Sequence, residues 1–234
     1  METVYVIGAF IVVVILYAML ITRYRERWCA REGFEDLGKV SDEWYQRLRT
    51  HQQCFGAGDI GHVGSALRRV IDGRTLWLLE HEWRTGSLSS RQTTWKTFVI
   101  WELGETGLPD FTLCRRSPFV MSALANVIRA ILFLPYLLFL IPHKAPPLRT
   151  LAHGESTGDF SEEFLRRYEV TGDSEAIRKL FTRGIQASLC DQPLAGDLVT
   201  VDGLLIWQAA GLLAPWNLDE KRDTALRLRE LFLN

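Results

Sequence analysis

The feature that most constrains this chain is an apolar run close to its N-terminus, from Thr3 to Thr22. No charged residue stands between Glu2 and Arg23. A helix rises about 1.5 Å per residue, so a run of this length spans about 30 Å, the hydrocarbon thickness of a bilayer. A helix on a soluble core would carry a polar stripe, and this run has none. The sequence therefore predicts a transmembrane helix.

The orientation of this helix is predicted by the arginines that follow it. Four of them lie close behind the run: Arg23, Arg25, Arg27 and Arg31. Basic residues next to a transmembrane helix stay on the cytoplasmic side. We therefore expect the N-terminus outside, the remaining chain in the cytoplasm and the protein in the cell inner membrane. Tyr24 and Trp28 are expected at the level of the lipid headgroups.

A cleaved signal peptide is the competing interpretation of the same run. It requires a basic stretch before the apolar residues and a small-residue cleavage site after them. The residue before the apolar run is the acidic Glu2, and the run is followed by the bulky and charged residues Thr22–Trp28 (TRYRERW). Both signals are therefore missing. The sequence therefore favours an uncleaved anchor.

Charge and cysteine content limit the partners of the remaining chain. Lys and Arg number 27 and Asp and Glu 28, whereas binding to nucleic acid calls for a basic surplus. The four cysteines form no CxxC pair and are expected to be free thiols in a reducing cytoplasm: Cys29, Cys54, Cys114 and Cys190. Cys29, near the membrane, could carry an acyl group, but an unmodified thiol is the simpler expectation.

The middle of the chain predicts an antiparallel sheet. Leu67–Ile71 and Thr75–Trp83 flank Asp72-Gly73, a dipeptide that tolerates the positive φ angles of a type I′ hairpin turn. Further strands are predicted at Thr93–Leu103 and Phe111–Arg115. Both faces of the third strand carry bulky residues, so we expect the sheet to be covered on more than one side.

Gly56, Gly58 and Gly61 match the G-x-G-x-x-G spacing of dinucleotide-binding loops. That motif needs a buried strand directly before it and a helix directly after it. Here the polar residues RLRTHQQC precede the glycines and a hairpin follows them. We therefore interpret the stretch as a flexible loop that binds no nucleotide.

A second hydrophobic segment, Phe119–Pro142, is interrupted by Arg129 and Pro135. An arginine at mid-membrane costs about 2.5–3.5 kcal/mol, and the proline leaves a carbonyl unpaired in hydrocarbon. Both flanks are basic, whereas a spanning segment more often shows an asymmetry. We therefore expect an interfacial or re-entrant helix in the cytoplasmic leaflet. The lipid-associated residues are Arg129, Phe133, Pro135, Tyr136 and Phe139. A true span and a buried core helix are the alternatives.

The chain after this segment is predicted to complete the same domain. Phe164–Val170 is predicted to be a strand, and Asp173 or Ser174 to cap a helix that reaches Ile185. A second hairpin is expected around Asp202-Gly203. Asn217 and Glu220 then form a capping box for the last helix.

The predicted fold class is α+β, with an N-terminal transmembrane helix, an antiparallel-sheet domain with flanking helices, and a membrane-associated hydrophobic segment. Four parts follow in sequence: an anchor and basic juxtamembrane helix (1–31), the sheet part (32–118), the hydrophobic segment (119–142) and the part that completes the domain (143–234).

No catalytic, cofactor or metal site is predicted from the sequence. None of the five histidines has a second ligand at helical or zinc-finger spacing. His81-Glu82 lacks the following histidine of a metalloprotease motif and is interpreted as a surface pair on a strand. Nucleophile elbows and Walker lysines are absent too. We therefore expect a protein that is not an enzyme.

Two functions remain as expectations. The first is an accessory or scaffold subunit of a larger membrane complex, for example a photosynthetic or respiratory assembly. Its partners would be the lipid bilayer and other membrane protein subunits. The second is a domain that binds a lipid or small ligand at the membrane surface. Abundant hydrophobic surface without a convergent polar pocket favours the first.

The order of features resembles that of a loosely defined family of uncharacterised bacterial membrane proteins. The resemblance rests on Arg31–Phe34 (REGF), FGAG, the turn Val70–Arg74 (VIDGR) and Phe160–Phe181. It implies an N-terminal anchor, an arginine cluster, a short helix, an antiparallel sheet and a helix–hairpin–helix end. Phe119–Pro142 departs from the resemblance, because it is more hydrophobic than the corresponding part of these proteins. The resemblance implies no activity.

Overall fold

The computed structural model describes residues 2–38, 42–51, 59–85, 92–104, 108–116 and 160–233, and in the first helix it describes side chains from Ile11 onward. Phe119–Pro142, with the five residues expected to contact lipid there, lies outside the described residues. So do Cys54, Gly56 and Gly58.

The described chain contains six helices and eight strands. The helices are α1 (Glu2–Glu32), α2 (Asp42–Thr50), α3 (Glu162–Arg167), α4 (Ser174–Leu180), α5 (Arg183–Asp191) and α6 (Leu218–Leu233). The strands are β1 (Glu35–Gly38), β2 (Asp59–Ile71), β3 (Arg74–Thr85), β4 (Gln92–Glu102), β5 (Phe111–Arg115), β6 (Tyr168–Gly172), β7 (Gly196–Val201) and β8 (Leu204–Ala210).

All eight strands form one antiparallel sheet in the order β1-β2-β3-β4-β8-β7-β5-β6. The α+β class, the antiparallel sheet and both Asp-Gly hairpins are thereby confirmed. Asp72 and Asp202 have φ angles of 49° and 48°, as the tight turns require. The strand pairing joins β5, before the undescribed stretch 117–159, to β6 and β7, after it.

Hydrophobic clusters cover both faces of the sheet, as expected. On the first face, α3–α6 and the end of α1 pack over the strands, with Trp28, Trp101, Phe164 and Phe181 among the buried side chains. On the second face, Trp44 and Leu48 of α2 pack over residues that include Trp77, Trp83, Phe98 and Ile206. The sheet is therefore the middle layer of the domain.

Helix α1 continues without a break from Glu2 to Glu32, and Gly33 ends it in the left-handed conformation with φ 69°. Every side chain from Ile11 to Leu20 is exposed. The nine large apolar ones among them are 48–66% exposed. Among the residues that the structure describes, no helix is both long and apolar enough to cross a membrane.

Three local predictions in the C-terminal part are wrong. Glu162–Arg167 is a helix instead of the start of a strand, because Ser161 caps it and accepts a hydrogen bond from Phe164 N. The single helix expected up to Ile185 is broken after Leu180, where Thr182 caps α5. Asn217 makes no capping box, since its amide Nδ2 donates to Leu212 O and its Oδ1 has no partner.

Gly61 also departs from its prediction. It was expected in a flexible loop, and the structure places it in β2. A Cβ at this position would lie 2.5 Å from Arg84 Nε and 2.7 Å from Glu82 Oε2, so the absence of a side chain admits these two side chains. The glycine thus has a packing role next to β3.

Candidate functional site: the junction of the apolar helix and the sheet

The junction where α1 joins the domain brings charged and aromatic residues together. Arg25 lies within it, donating through one guanidinium nitrogen to Ser65 Oγ (2.9 Å) and through the other to Asp36 Oδ1 (3.0 Å). Ser65 in turn donates to Glu80 Oε2 at 2.6 Å. Glu80 also accepts a hydrogen bond from Leu213 N. This chain of bonds connects α1 with β1, β2, β3 and the segment after β8.

A second set of ion pairs joins α1 to α6. Arg222 contacts Glu32 Oε2 at 2.7 Å and Asp219 Oδ1 at 3.0 Å, and Arg31 contacts Glu32 Oε1 at 2.7 Å. The hydrogen bond from Arg31 lowers the pKa of the Glu32 carboxyl, and Arg222 adds to this effect against the opposing effect of burial. Two arginines thus keep Glu32 ionised at the junction.

The aromatic residue at the junction is Trp28. Its ring stacks on Phe34 with centroids 4.9 Å apart, and its Nε1 donates to Asp219 Oδ1 at 2.9 Å. Trp28 was expected at headgroup level, but its side chain is buried in the core of the domain. Cys29 next to it is also buried, and burial raises the pKa of its thiol.

The remaining anchor residues divide into two groups. Arg23 and Arg27 are exposed on α1, whereas Arg25 and Arg31 have the partners described above. Sequence reasoning treated all four arginines alike as orientation signals.

The second face of the sheet contains a polar cluster that the sequence interpretation missed. His81, expected in a surface pair, is fully buried, and its ring stacks on Phe98 with centroids 3.9 Å apart. Lys96 is its direct cross-strand partner and lies 4.5 Å from the ring centroid of Trp83. The prediction of a surface pair is wrong because odd-numbered residues of β3 lie on the second face, where Trp77 and Trp83 belong to a buried hydrophobic cluster.

Burial sets the protonation of this cluster. Burial, followed by the charge of Lys96, lowers the pKa of His81 to about 3, so the imidazole is neutral. Burial also lowers the pKa of Lys96 to about 8. Within the described part of the chain, both ring nitrogens of His81, Nε2 of Gln208 and the indole nitrogens of Trp77 and Trp83 lack hydrogen-bond partners.

The same face continues to Cys114 of β5. Burial raises the pKa of this thiol to about 12, and the carboxylates of Asp197 and Glu169 add to the shift. A thiol with this pKa is protonated at neutral pH and is a poor nucleophile. Cys29, Cys114 and Cys190 are free, as predicted.

Helix α3 borders a small cavity in the described chain. A cavity of about 220 Å³ is lined by Glu163, Arg166 and Arg167 of α3. Arg167 already donates to Glu163 Oε1 at 2.6 Å and to Cys190 O. Among the described residues, no three His, Cys, Asp or Glu side chains lie close enough together to hold a metal ion.

Comparison with known proteins finds no matching family model, no similar curated protein and no similar solved structure. The resemblance to uncharacterised bacterial membrane proteins therefore stays a prediction.

Proposed function

We propose that this chain is a membrane-anchored accessory subunit, with α1 in the bilayer and the sheet domain on its cytoplasmic side, where it contacts other membrane proteins. The observation that carries the proposal is the exposure of α1. Ten consecutive side chains, from Ile11 to Leu20, are exposed around the whole circumference of the helix. A helix that is apolar on all sides needs an apolar environment on all sides.

The energetics support a lipid environment for this part of α1. Transfer of one large apolar side chain out of water stabilises by about 1.5–3 kcal/mol, and nine such side chains are exposed here. Because each is about half exposed, the nine together correspond to more than about 5 kcal/mol. The apolar run begins eight residues before Ile11, at Thr3, which extends the same environment to the full 20-residue length.

Hydrogen bonds and ion pairs at the junction fix the end of α1 to the domain. α1 is one continuous helix, and Trp28, Arg25 and Glu32 join its end to β2, β3 and α6. The exposed Arg23 and Arg27 stand directly after the run, where basic residues favour the cytoplasmic side. A partner subunit that contacts α1 in the membrane would therefore be held at a defined orientation to the domain.

The strand pairing bears on the hydrophobic segment 119–142. Arg116 N donates to Arg167 O at 2.7 Å, so the chain on either side of the undescribed stretch meets in one sheet. Strands of one sheet share a compartment, which favours a segment that associates with the membrane without crossing it. Compartment reporters at Ser87 and at the C-terminus test this: reporters on opposite membrane sides would overturn it.

Membrane fractionation tests the anchor. We expect the full chain to remain in membranes after alkaline carbonate extraction and a variant without residues 3–22 to be released. Release of the full chain by carbonate would overturn the proposal. Purification in mild detergent then tests the subunit role, for which we expect a stoichiometric membrane-protein partner.

A second candidate function is binding of a lipid or small ligand. It is favoured by the unpaired polar atoms on the second face, since buried donors and acceptors without partners are costly. Mass spectrometry of the detergent-purified chain would detect a copurifying molecule. We expect His81→Phe to lose it if the polar cluster is the site, whereas a partner protein would be retained by this variant.

A further inference from the structure

The polar cluster on the second face of the sheet has more unpartnered hydrogen-bond donors than acceptors. Within the described part of the chain, the indole nitrogen of Trp83, Nε2 of Gln208 and both ring nitrogens of His81 have no partner. Because the imidazole is neutral, one of its nitrogens donates and the other accepts. These three residues thus present three donating nitrogens and one accepting nitrogen.

Strand pairing places these groups around Lys96. Lys96 on β4 is the direct cross-strand partner of His81 on β3, and Phe98 on β4 is that of Gln208 on β8. The ring of His81 lies 6.0 Å from that of Trp83 between centroids, and the ammonium of Lys96 lies 4.5 Å from the same Trp83 centroid. A cation and the unpartnered donors are therefore gathered on three adjacent strands.

The charge that acts on Lys96 from the neighbouring strands comes from Asp197 of β7. This carboxylate accepts hydrogen bonds from Arg115 N at 3.4 Å and from the thiol of Cys114, and Glu169 lies opposite Cys114 on β6. The contact that the structure gives the Lys96 ammonium is the face of the Trp83 ring. An ammonium gains more from a charge-assisted hydrogen bond to a carboxylate than from an aromatic face.

The surroundings of the cluster are apolar on the inside and open at Lys96. His81, Trp83 and Gln208 are at most 5% exposed, whereas Lys96 is only partly buried. The Lys96 side chain is therefore where the cluster meets the solvent. The apolar side chains buried on the same face include Ala66, Leu79, Phe98 and Ile100. A cation beside an apolar lining is typical of a site for an amphiphilic anion.

We propose that the polar cluster binds the carboxylate of an amphiphilic acid, a small molecule with one carboxylate and an apolar chain. This inference names the ligand class for the second candidate function given above and rests on it. The carboxylate pairs with the Lys96 ammonium and accepts hydrogen bonds from the unpartnered donors beside it. Its two oxygens accept several hydrogen bonds and donate none, which complements a cluster in which donors exceed acceptors.

Titration of the lysine amines in the full chain, purified in mild detergent, tests the ligand class. The chain has five lysines, and reductive methylation with ¹³C-formaldehyde gives each of them an NMR signal whose pH dependence reports its pKa. The probe is octanoate, and octanol is the neutral molecule of the same chain length. Lys96→Met identifies the Lys96 signal, and Lys179, whose side chain is 76% exposed, is the control.

Without a ligand we expect Lys96 to titrate with a pKa of about 8. Saturating octanoate should raise this pKa towards the ordinary 10.5, because a bound carboxylate favours the charged amine. Octanol should leave it at about 8, and neither molecule should change the signal of Lys179. His81→Phe should weaken octanoate binding several-fold, and circular dichroism checks its fold.

Two outcomes would overturn the proposal in different ways. If octanol shifts the Lys96 signal to saturation as octanoate does, and the pKa stays at about 8 with both, the cluster binds an apolar molecule without recognising a carboxylate. The second candidate function then stands. If neither molecule gives a saturable change at Lys96, the carboxylate and the small-ligand site both fall, while the membrane anchor is tested separately by carbonate extraction.

Discussion

The indole nitrogen of Trp28 donates a hydrogen bond to Asp219 Oδ1 over 2.9 Å, although the two residues are 191 positions apart. The bond joins the helix that carries the apolar run to the last helix of the chain. Phe34 stacks on the same ring, and both aromatic side chains are buried. The first and last elements of the domain are thus fixed to each other at one buried aromatic residue.

Trp28→Ala is expected to lower the free energy of unfolding by about 3–5 kcal/mol, because it removes a large buried side chain. Trp28→Phe keeps most of the packing and loses the hydrogen bond, at a cost of about 1–2 kcal/mol. Denaturant unfolding of the full chain in detergent measures both. Trp216→Ala is the control, expected within about 0.5 kcal/mol of the unchanged chain. Equal losses for Trp28→Ala and Trp216→Ala would contradict the buried role of Trp28.

Acid is expected to destabilise the domain through His81. Its pKa falls from an ordinary 6.5 to about 3 on folding. Between these values the unfolded chain binds a proton that the folded chain does not, so stability is lost as pH falls from about 6.5 towards 3. The loss is at most about 4–5 kcal/mol from this group. His81→Phe keeps a ring against Phe98 and should flatten this part of the unfolding profile.

A substitution of Lys96, on the same face as His81, is the matched control, because Lys96 changes the free energy of unfolding at alkaline pH. Its pKa falls from 10.5 to about 8 on folding, so the unfolded chain binds more protons between these values and stability rises with pH there. Lys96→Met should remove the alkaline rise and keep most of the acid loss, because burial lowers the pKa of His81 more than the charge of Lys96 does. If the free energy of unfolding of His81→Phe falls with acid as steeply as that of the unchanged chain, groups other than His81 cause the acid loss.

Hairpins were predictable because their signals are local. Asp72-Gly73 and Asp202-Gly203 each require positive φ at two adjacent residues, and few dipeptides supply it. The strand predicted at Thr93–Leu103 likewise corresponds to β4, which the structure bounds at Gln92 and Glu102. Such local signals are sufficient to predict a turn or a strand where contacts with distant residues do not change the local structure.

The missed features depend on contacts between distant residues. A strand is predicted over Phe164–Val170, but Ser161 caps a helix turn at its start, and Phe164 packs on Tyr168 at 5.2 Å between ring centroids. The position of Trp28 is decided by residues that the local sequence does not reveal as neighbours. Its ring stacks on Phe34, and its indole nitrogen donates a hydrogen bond to Asp219. The burial of His81 likewise depends on the register between β3 and β4.

Cys29 is expected to carry no acyl group in the folded protein. Its side chain is buried beside Trp28, and burial raises the pKa of its thiol, so little thiolate is available for reaction. Metabolic labelling with an alkyne fatty acid should give the same signal for the unchanged chain and for Cys29→Ser. Both should remain in membranes after carbonate extraction. A signal lost in Cys29→Ser would mean that the junction opens during synthesis.

Gly196, at the start of β7, is expected to tolerate no side chain. Its φ is 152°, and a Cβ there would lie 2.0 Å from Gln208 O of β8. Backbone atoms must move to admit a methyl group, so Gly196→Ala should cost at least about 2 kcal/mol of unfolding free energy. Gly184→Ala is the matched control: in α5 the nearest atom to its Cβ would be Thr182 Oγ1 at 3.9 Å, and helix propensity predicts a gain of about 0.5–1 kcal/mol. Opposite signs for the two variants in denaturant unfolding would support the β7–β8 register, and a neutral Gly196→Ala would contradict the close approach of Gly196 to Gln208.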